Sequence, residues 1–220
     1  MSARIVVIVN QKGGSGKTTI TMQLAATWAK QRLKCLVVDA DPQNTAVNWA
    51  ASADEDHPFP ASVLNLSQAK SKLHQMLKPY VDDYDIILVD CPPSLESRVP
   101  LSALLVADLA VVPVLPSPPD IWASIGIAEV IENARTTVNE DLAVRIVLNQ
   151  ASPQRTLSGD AVEVLKEFRY PLAKTVIRQR EAYRQSAAIG GSVHDMGSKA
   201  KPAVEDIKAL AKELKKAFNG

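Results

Sequence analysis

The chain has 220 residues, 46% of them apolar, and 25 Lys and Arg against 24 Asp and Glu leave a net charge of +1. That length and apolar share suit residues 1–220 as a single α/β domain with a full core. No run reaches the roughly 18 apolar residues of a membrane span, and the N-terminus reads as a strand rather than a signal peptide. The two cysteines, Cys35 and Cys91, form no CxxC pair, which argues against a metal site or a disulfide framework and suits a reduced cytoplasm.

The first element is the apolar run Ile5 to Val9. It feeds Asn10-Gln11-Lys12-Gly13-Gly14-Ser15-Gly16-Lys17-Thr18-Thr19 and then an alanine-rich helical pattern over 17–31. Strand, glycine loop and helix in that order are the setting of a phosphate-binding loop. Glycines at 13, 14 and 16 accept positive φ and leave no Cβ in the way, so successive amides can curl around an oxyanion. The helix dipole turns its positive end to the same place. Lys17 can reach β and γ phosphates, and the Thr18 hydroxyl can ligate Mg²⁺. The common spelling of such a loop needs glycine at position 11, where Gln11 stands, and a second lysine, Lys12, precedes the glycines. Lys12 cannot easily fold back beneath its own loop, so it is expected to serve a nucleotide across a dimer interface. The plainer alternative is a glycine turn with two solvated lysines.

Further apolar runs follow at Cys35–Val38, Ile86–Val89, Leu109–Val114, Val144–Leu148 and Lys174–Ile177. Helical patterns fall near 67–78, 97–107, 120–138, 157–168, 179–189 and 203–218, and residues 52–60 read as an exposed loop. Several runs are continuous rather than alternating, as in parallel strands covered on both faces. The expected fold is therefore a doubly wound, mostly parallel sheet with helices on both faces and ligands at the carboxyl ends of its strands.

Acidic residues stand at two of those ends. Asp39-Ala40-Asp41-Pro42 closes the second run, where one carboxylate can hold Mg²⁺ through water and the other can orient an attacking water. Asp90 closes the third, before Cys91-Pro92-Pro93, placed to hold the Mg²⁺ hydration shell. Farther on, Asp120 follows a proline-dense stretch, where it either starts a helix or edges a partner surface. The last helix sets Val204, Ile207, Leu210, Leu214 and Phe218 on one face and lysines elsewhere, so it either docks on the sheet or lies on a membrane. Charge is uneven: residues 1–165 hold 13 Lys and Arg against 18 acids, a balance of −5, whereas 166–220 hold 12 against 6, a balance of +6. Such a bias suits a polyanionic partner or a solvated surface.

These motifs resemble the deviant Walker A loop and switch regions of the ParA/MinD superfamily of P-loop ATPases, over nearly the whole chain. The likeness is greatest to small ParF-type ParA proteins, without the N-terminal DNA-binding extension of larger ones. The resemblance implies ATP and Mg²⁺ as ligands, with Lys12, Gly13, Gly14, Ser15, Gly16, Lys17, Thr18 and Thr19 around the phosphates and Asn149 reading adenine. It assigns the metal to Thr18, Asp39 and Asp90, and hydrolysis to Lys12, Lys17 and Asp41. Where many relatives carry a second, proline-containing base contact, this chain reads Val176-Ile177-Arg178-Gln179-Arg180. The resemblance further implies a homodimer on ATP binding, nonspecific DNA, a ParB-like or ParG-like partner that stimulates hydrolysis, and a cytoplasmic, nucleoid-associated location. Arg178, Arg180 and Arg184 are the expected DNA contacts, within a basic set that also includes Lys166, Arg169, Lys174, Lys199 and Lys201. Plasmid or chromosome partition is the first expectation for the cargo. A carboxysome or chemoreceptor cluster, or a MinD-like membrane role, is the alternative.

Overall fold

The computed structural model describes residues 2–94, 97–152, 165 and 169–218. Among the described residues, six strands form one sheet: β1 (Arg4–Ile8), β2 (Cys35–Asp39), β3 (Ser62–Asn65), β4 (Ile86–Asp90), β5 (Leu109–Val114) and β6 (Ala143–Leu148). Their order in space is β3-β2-β4-β1-β5-β6, and every pairing is parallel. The helices are α1 (Lys17–Ala29), α2 (Thr45–Ala51), α3 (Leu73–Leu77), α4 (Arg98–Leu104), α5 (Pro118–Ile125), α6 (Ile127–Thr137), α7 (Glu181–Ala188) and α8 (Lys201–Ala217). Strand order reverses at β1, with β2, β3 and β4 on one side and β5 and β6 on the other. A crevice above the carboxyl ends of the strands is where such sheets bind ligands.

Continuous apolar runs have a direct cause here. Ile5, Val7 and Val9 enter one core cluster, while Val6 and Ile8 enter the other. Leu36 and Val38 part from Cys35 and Val37 in the same way, as do Ile87 and Val89 from Ile86 and Leu88. Side chains alternate with period two, so both faces must be apolar when both are covered.

Helix α1 lies in the second cluster, with Ile20, Met22, Leu24 and Trp28 fully buried. Helix α8 covers it. Its Ala203, Ile207, Leu210, Ala211 and Leu214 are buried, and Phe218 meets Trp28 edge-on with ring centroids 6.4 Å apart. Burying Ile207, Leu210 and Leu214 is worth on the order of 5–9 kcal/mol of transfer free energy, which a move to a membrane would have to replace. The apolar face of α8 is docked on the core.

Several expectations change. Strand β3 and helix α2 come from segments that carried no strong period. The 67–78 pattern shortens to a 3₁₀ turn at Lys70–Lys72 followed by α3. The 120–138 pattern breaks at Gly126, where an added Cβ would come within 2.7 Å of the Gln11 side chain. Residues Lys174–Ile177 do not form a strand. Isolated bridges at Ile146–Leu172 and Ala151–Arg178 flank them, and the Lys174 and Thr175 amides turn away to the Glu213 carboxylate at 2.7 and 2.9 Å. The 157–168 helix lies outside the described residues except for Leu165, as does Lys166.

Candidate functional site

The loop after β1 is anchored from three sides. Asn10 is buried and donates from Nδ2 to the Pro113 carbonyl at 2.7 Å and the Ser124 hydroxyl at 2.9 Å, while its Oδ1 accepts the Lys12 amide at 3.1 Å. The Gln11 side chain donates to the Ala123 carbonyl. Beyond β6, Asn149 donates to the Ser15 carbonyl at 2.7 Å and Gln150 to that of Gly14 at 2.9 Å. Gly16, at φ +87°, lets Asn149 approach so closely that a Cβ there would lie 2.1 Å from its amide nitrogen.

Gly14, Gly16, Lys17, Thr18, Thr19 and Asp41 converge on a cavity of about 280 Å³. Lys17 is buried, and its Nζ donates to the Lys12 carbonyl at 3.2 Å. Burial lowers its pKa, opposed by the Asp90 and Asp41 carboxylates. Gly13 stands exposed at the loop's outer edge. Lys12 leaves the cavity: its Nζ pairs with Asp120 of α5 at 3.3 Å. Asp120 stands in the first turn of that helix and accepts the hydroxyl of its N-cap, Ser117, at 2.6 Å.

Thr18 donates its hydroxyl to Asp90 Oδ2 at 2.6 Å. Asp90 Oδ1 and the Ser15 hydroxyl are buried and have no hydrogen-bond partner among the described residues. An orphaned carboxylate oxygen next to a threonine with free lone pairs fits a hydrated Mg²⁺, and the glycine loop fits a phosphate. Asp39 is held by backbone amides. Its Oδ2 accepts the amides of Ala46 and Val47 at 2.9 and 3.1 Å, and its Oδ1 that of Asp41 at 3.1 Å, so it caps the start of α2. The carboxylate expected on the metal is thus engaged by three backbone amides. Asp41 is half-buried, and its Oδ1 accepts the Gln43 amide at 2.9 Å.

Burial pushes the Asp90 carboxyl up to about 7 from 3.8, and the Thr18 hydrogen bond and Lys17 charge offset only part of that rise. The group therefore contributes stability below the unfolded value, near pH 4, and loses it as pH climbs through about 7, because the unfolded chain ionises first. Asp90→Asn is expected to flatten that slope in thermal unfolding of the ligand-free chain. Conversely, Mg²⁺-dependent nucleotide affinity should rise between about pH 6 and 8 as Asp90 ionises. An affinity flat over that interval would take Asp90 off the metal.

A second cavity, of about 420 Å³, opens beside Thr18 and Asn149 and is walled by Trp49, Ile177, Tyr183 and Ile207. Trp49 is fixed by its indole N–H, which donates to the Gly191 carbonyl at 2.8 Å. One N–H of Asn149 is committed to the loop, which leaves its Oδ1 and second N–H for a base. Arg178, Arg180 and Arg184 line this cavity as well. Arg178 Nη1 and Arg180 Nε each lie 3.0 Å from Asp206, and exposed Arg184 lies 3.6 Å from Glu181. The three expected DNA contacts are thus ion-paired in a cluster at a pocket wall. Charge counting missed it because Asp206 lies 26 and 28 residues away in sequence. The anchoring by Asn10 and Gln150 went unassigned too. Their position directly beside the loop and β6 was the available signal.

A phosphate loop between a central parallel strand and a buried helix, with carboxylates at the ends of two neighbouring strands, defines a P-loop nucleotide-binding protein. The profile of the CobQ/CobB/MinD/ParA nucleotide binding domain matches residues 6–193, and the chain belongs to that family, within the ParA/MinD superfamily of P-loop ATPases. It is 33% identical to "maintenance of carboxysome distribution protein A" of Halothiobacillus neapolitanus over 95% of both chains. The protein of the same description from Gloeobacter kilaueensis is also 33% identical, over 96% of this chain and 94% of its own. The sporulation initiation inhibitor protein Soj of Bacillus subtilis is 29% identical over 99% of each. Among solved structures, a Cyanothece McdA variant in complex with ATP superposes with a TM-score of 0.78 at 18% identity, covering 97% of this chain and 96% of that one. MinD of Pyrococcus horikoshii complexed with Mg-ADP gives 0.73 at 25% identity, with 96% of each chain covered.

Proposed function

We propose that the chain is a ParA-type positioning ATPase that binds ATP with Mg²⁺, closes a homodimer and distributes a cellular cargo over nonspecific DNA. The observation that carries this reading is the convergence of the glycine loop, Lys17, Thr18 and Asp41 on one small cavity, with Lys12 held off it. Loop amides and Lys17 hold the β and γ phosphates, and Thr18 and Asp90 hold the metal. Bound Mg²⁺ neutralises phosphate charge. Asp41 orients the attacking water, and Lys12 leaves Asp120 to meet the nucleotide of a second copy. A partner of ParB-like or ParG-like role stimulates hydrolysis, and the location is cytoplasmic and nucleoid-associated.

Partition of a plasmid or chromosome, the first expectation from sequence, gives way to a carboxysome-type cargo. The two carboxysome distribution relatives stand at 33% identity, against 29% for Soj. Among the described residues no helix is long and apolar enough to cross a membrane, and the docked face of α8 argues against a surface anchor.

The test combines ultracentrifugation with DNA and liposome co-sedimentation. Wild type is expected to dimerise and hold DNA of any sequence with ATP but not ADP. Affinity should fall with salt by a log-log slope of roughly 0.9 per contacted phosphate. Lys12→Ala should bind ATP yet stay monomeric and release DNA. Equal DNA binding with ADP and ATP defeats the reading, and ATP-dependent liposome binding transfers it to the membrane.

A further inference from the structure

Helix α8 holds one wall of the larger cavity through two carboxylates that stand behind it. Asp206, 9% exposed, takes one guanidinium on each oxygen: Arg178 Nη1 on Oδ1 and Arg180 Nε on Oδ2, both at 3.0 Å. Two turns along the same helix, Glu213 accepts the amides of Lys174 and Thr175. Positions seven apart share a helix face, so both acids grip the segment that runs from Lys174 to Arg180. That segment supplies Ile177, Arg178 and Arg180 to the cavity wall, and Ile207, next to Asp206, adds another side of it.

A carboxylate this buried persists only when its partners replace the lost hydration. Two arginines do so here and keep one net positive charge at the pocket. A guanidinium held in place is suited to stack on an aromatic ring or donate to ring nitrogens and hydroxyls. Guanidinium groups tied to a common acid are poorly suited to a shifting row of DNA phosphates.

We propose that Asp206 is a positioning residue for nucleoside recognition. It fixes Arg178 and Arg180 along the wall where the base and ribose of a purine nucleoside triphosphate lie, so that docking of the last helix sets the base pocket. The inference rests on the nucleotide reading above and adds to it a long-range determinant of affinity.

The phosphate and nucleoside parts can be weighed separately with Mg-ATP and Mg-tripolyphosphate, measured calorimetrically on the full chain. Asp206→Asn is expected to weaken Mg-ATP about tenfold while tripolyphosphate affinity stays within about a factor of two. Arg178→Gln should lower the same ratio, and the double variant should be little worse than Asp206→Asn alone, since the two changes share the Arg178–Asp206 contact. Arg178 is half-exposed, so its variant decides the matter if Asp206→Asn does not fold. Equal loss for both ligands, or no loss for either, overturns the proposal. So does Asp206→Asn binding ATP normally while holding DNA more tightly, which would return the arginines to DNA. A wild type that binds tripolyphosphate but not ATP overturns it too, whereas one that binds neither removes the nucleotide reading itself.

Discussion

Lys17→Ala is expected to abolish ATP binding at ordinary nucleotide concentrations. Lys17 is the buried cation of the loop, already turned inward onto the Lys12 carbonyl. Leaving a sequestered phosphate charge without its partner costs about 3 kcal/mol or more, roughly a hundredfold in affinity. The substitution also removes a charge that lowers the Asp90 pKa, so that carboxyl should titrate higher still in the ligand-free variant. A titration with a fluorescent ATP analogue reads the affinity. Wild-type binding by the variant would sink the phosphate-loop assignment.

Asp41→Ala is expected to bind ATP and dimerise, yet hydrolyse about a hundredfold more slowly, the lower range of what a positioned general base contributes. Asp41 faces the phosphate cavity, whereas Asp39 is committed to the amides that open α2. The neighbouring substitution therefore has another signature: Asp39→Ala should lose about 1–2 kcal/mol of stability as a helix cap is lost. Single-turnover hydrolysis beside thermal unfolding separates the two. Unchanged turnover in Asp41→Ala would pass the role to another residue.

Local patterns were legible because they obey local rules. Runs such as Ile86–Val89 must be apolar throughout when both faces of a parallel sheet are covered, and the loop at 12–19 needs glycine wherever amides face an anion. Asp90 could be placed because it ends such a run. What sequence could not show was set by distant partners. Lys174–Ile177 has strand chemistry, but Glu213 captures two of its amides and the ladder stops. Edge strand β3 is short and half-exposed, so its period is faint. The three arginines carry the charge expected of a DNA surface, yet their setting depends on an aspartate of the last helix and a glutamate one turn away. The three amides on Asp39 could not be foreseen either, because spacing does not reveal which amides will turn toward a carboxylate.

The indole of Trp49 gives the protein an intrinsic optical gauge. It stands in the wall of the larger cavity on the short helix that Asp39 caps, only a few residues beyond Asp41. Its N–H rests against the fixed dipole of the Gly191 carbonyl, so a small displacement of that helix changes the field across the ring and with it the emission colour. Trp28 is sealed in the core and contributes a steady background, while Trp122, 55% exposed, can be replaced by phenylalanine to silence it. Stopped-flow emission from such a chain would time ligand entry beside Asp41 without any attached dye.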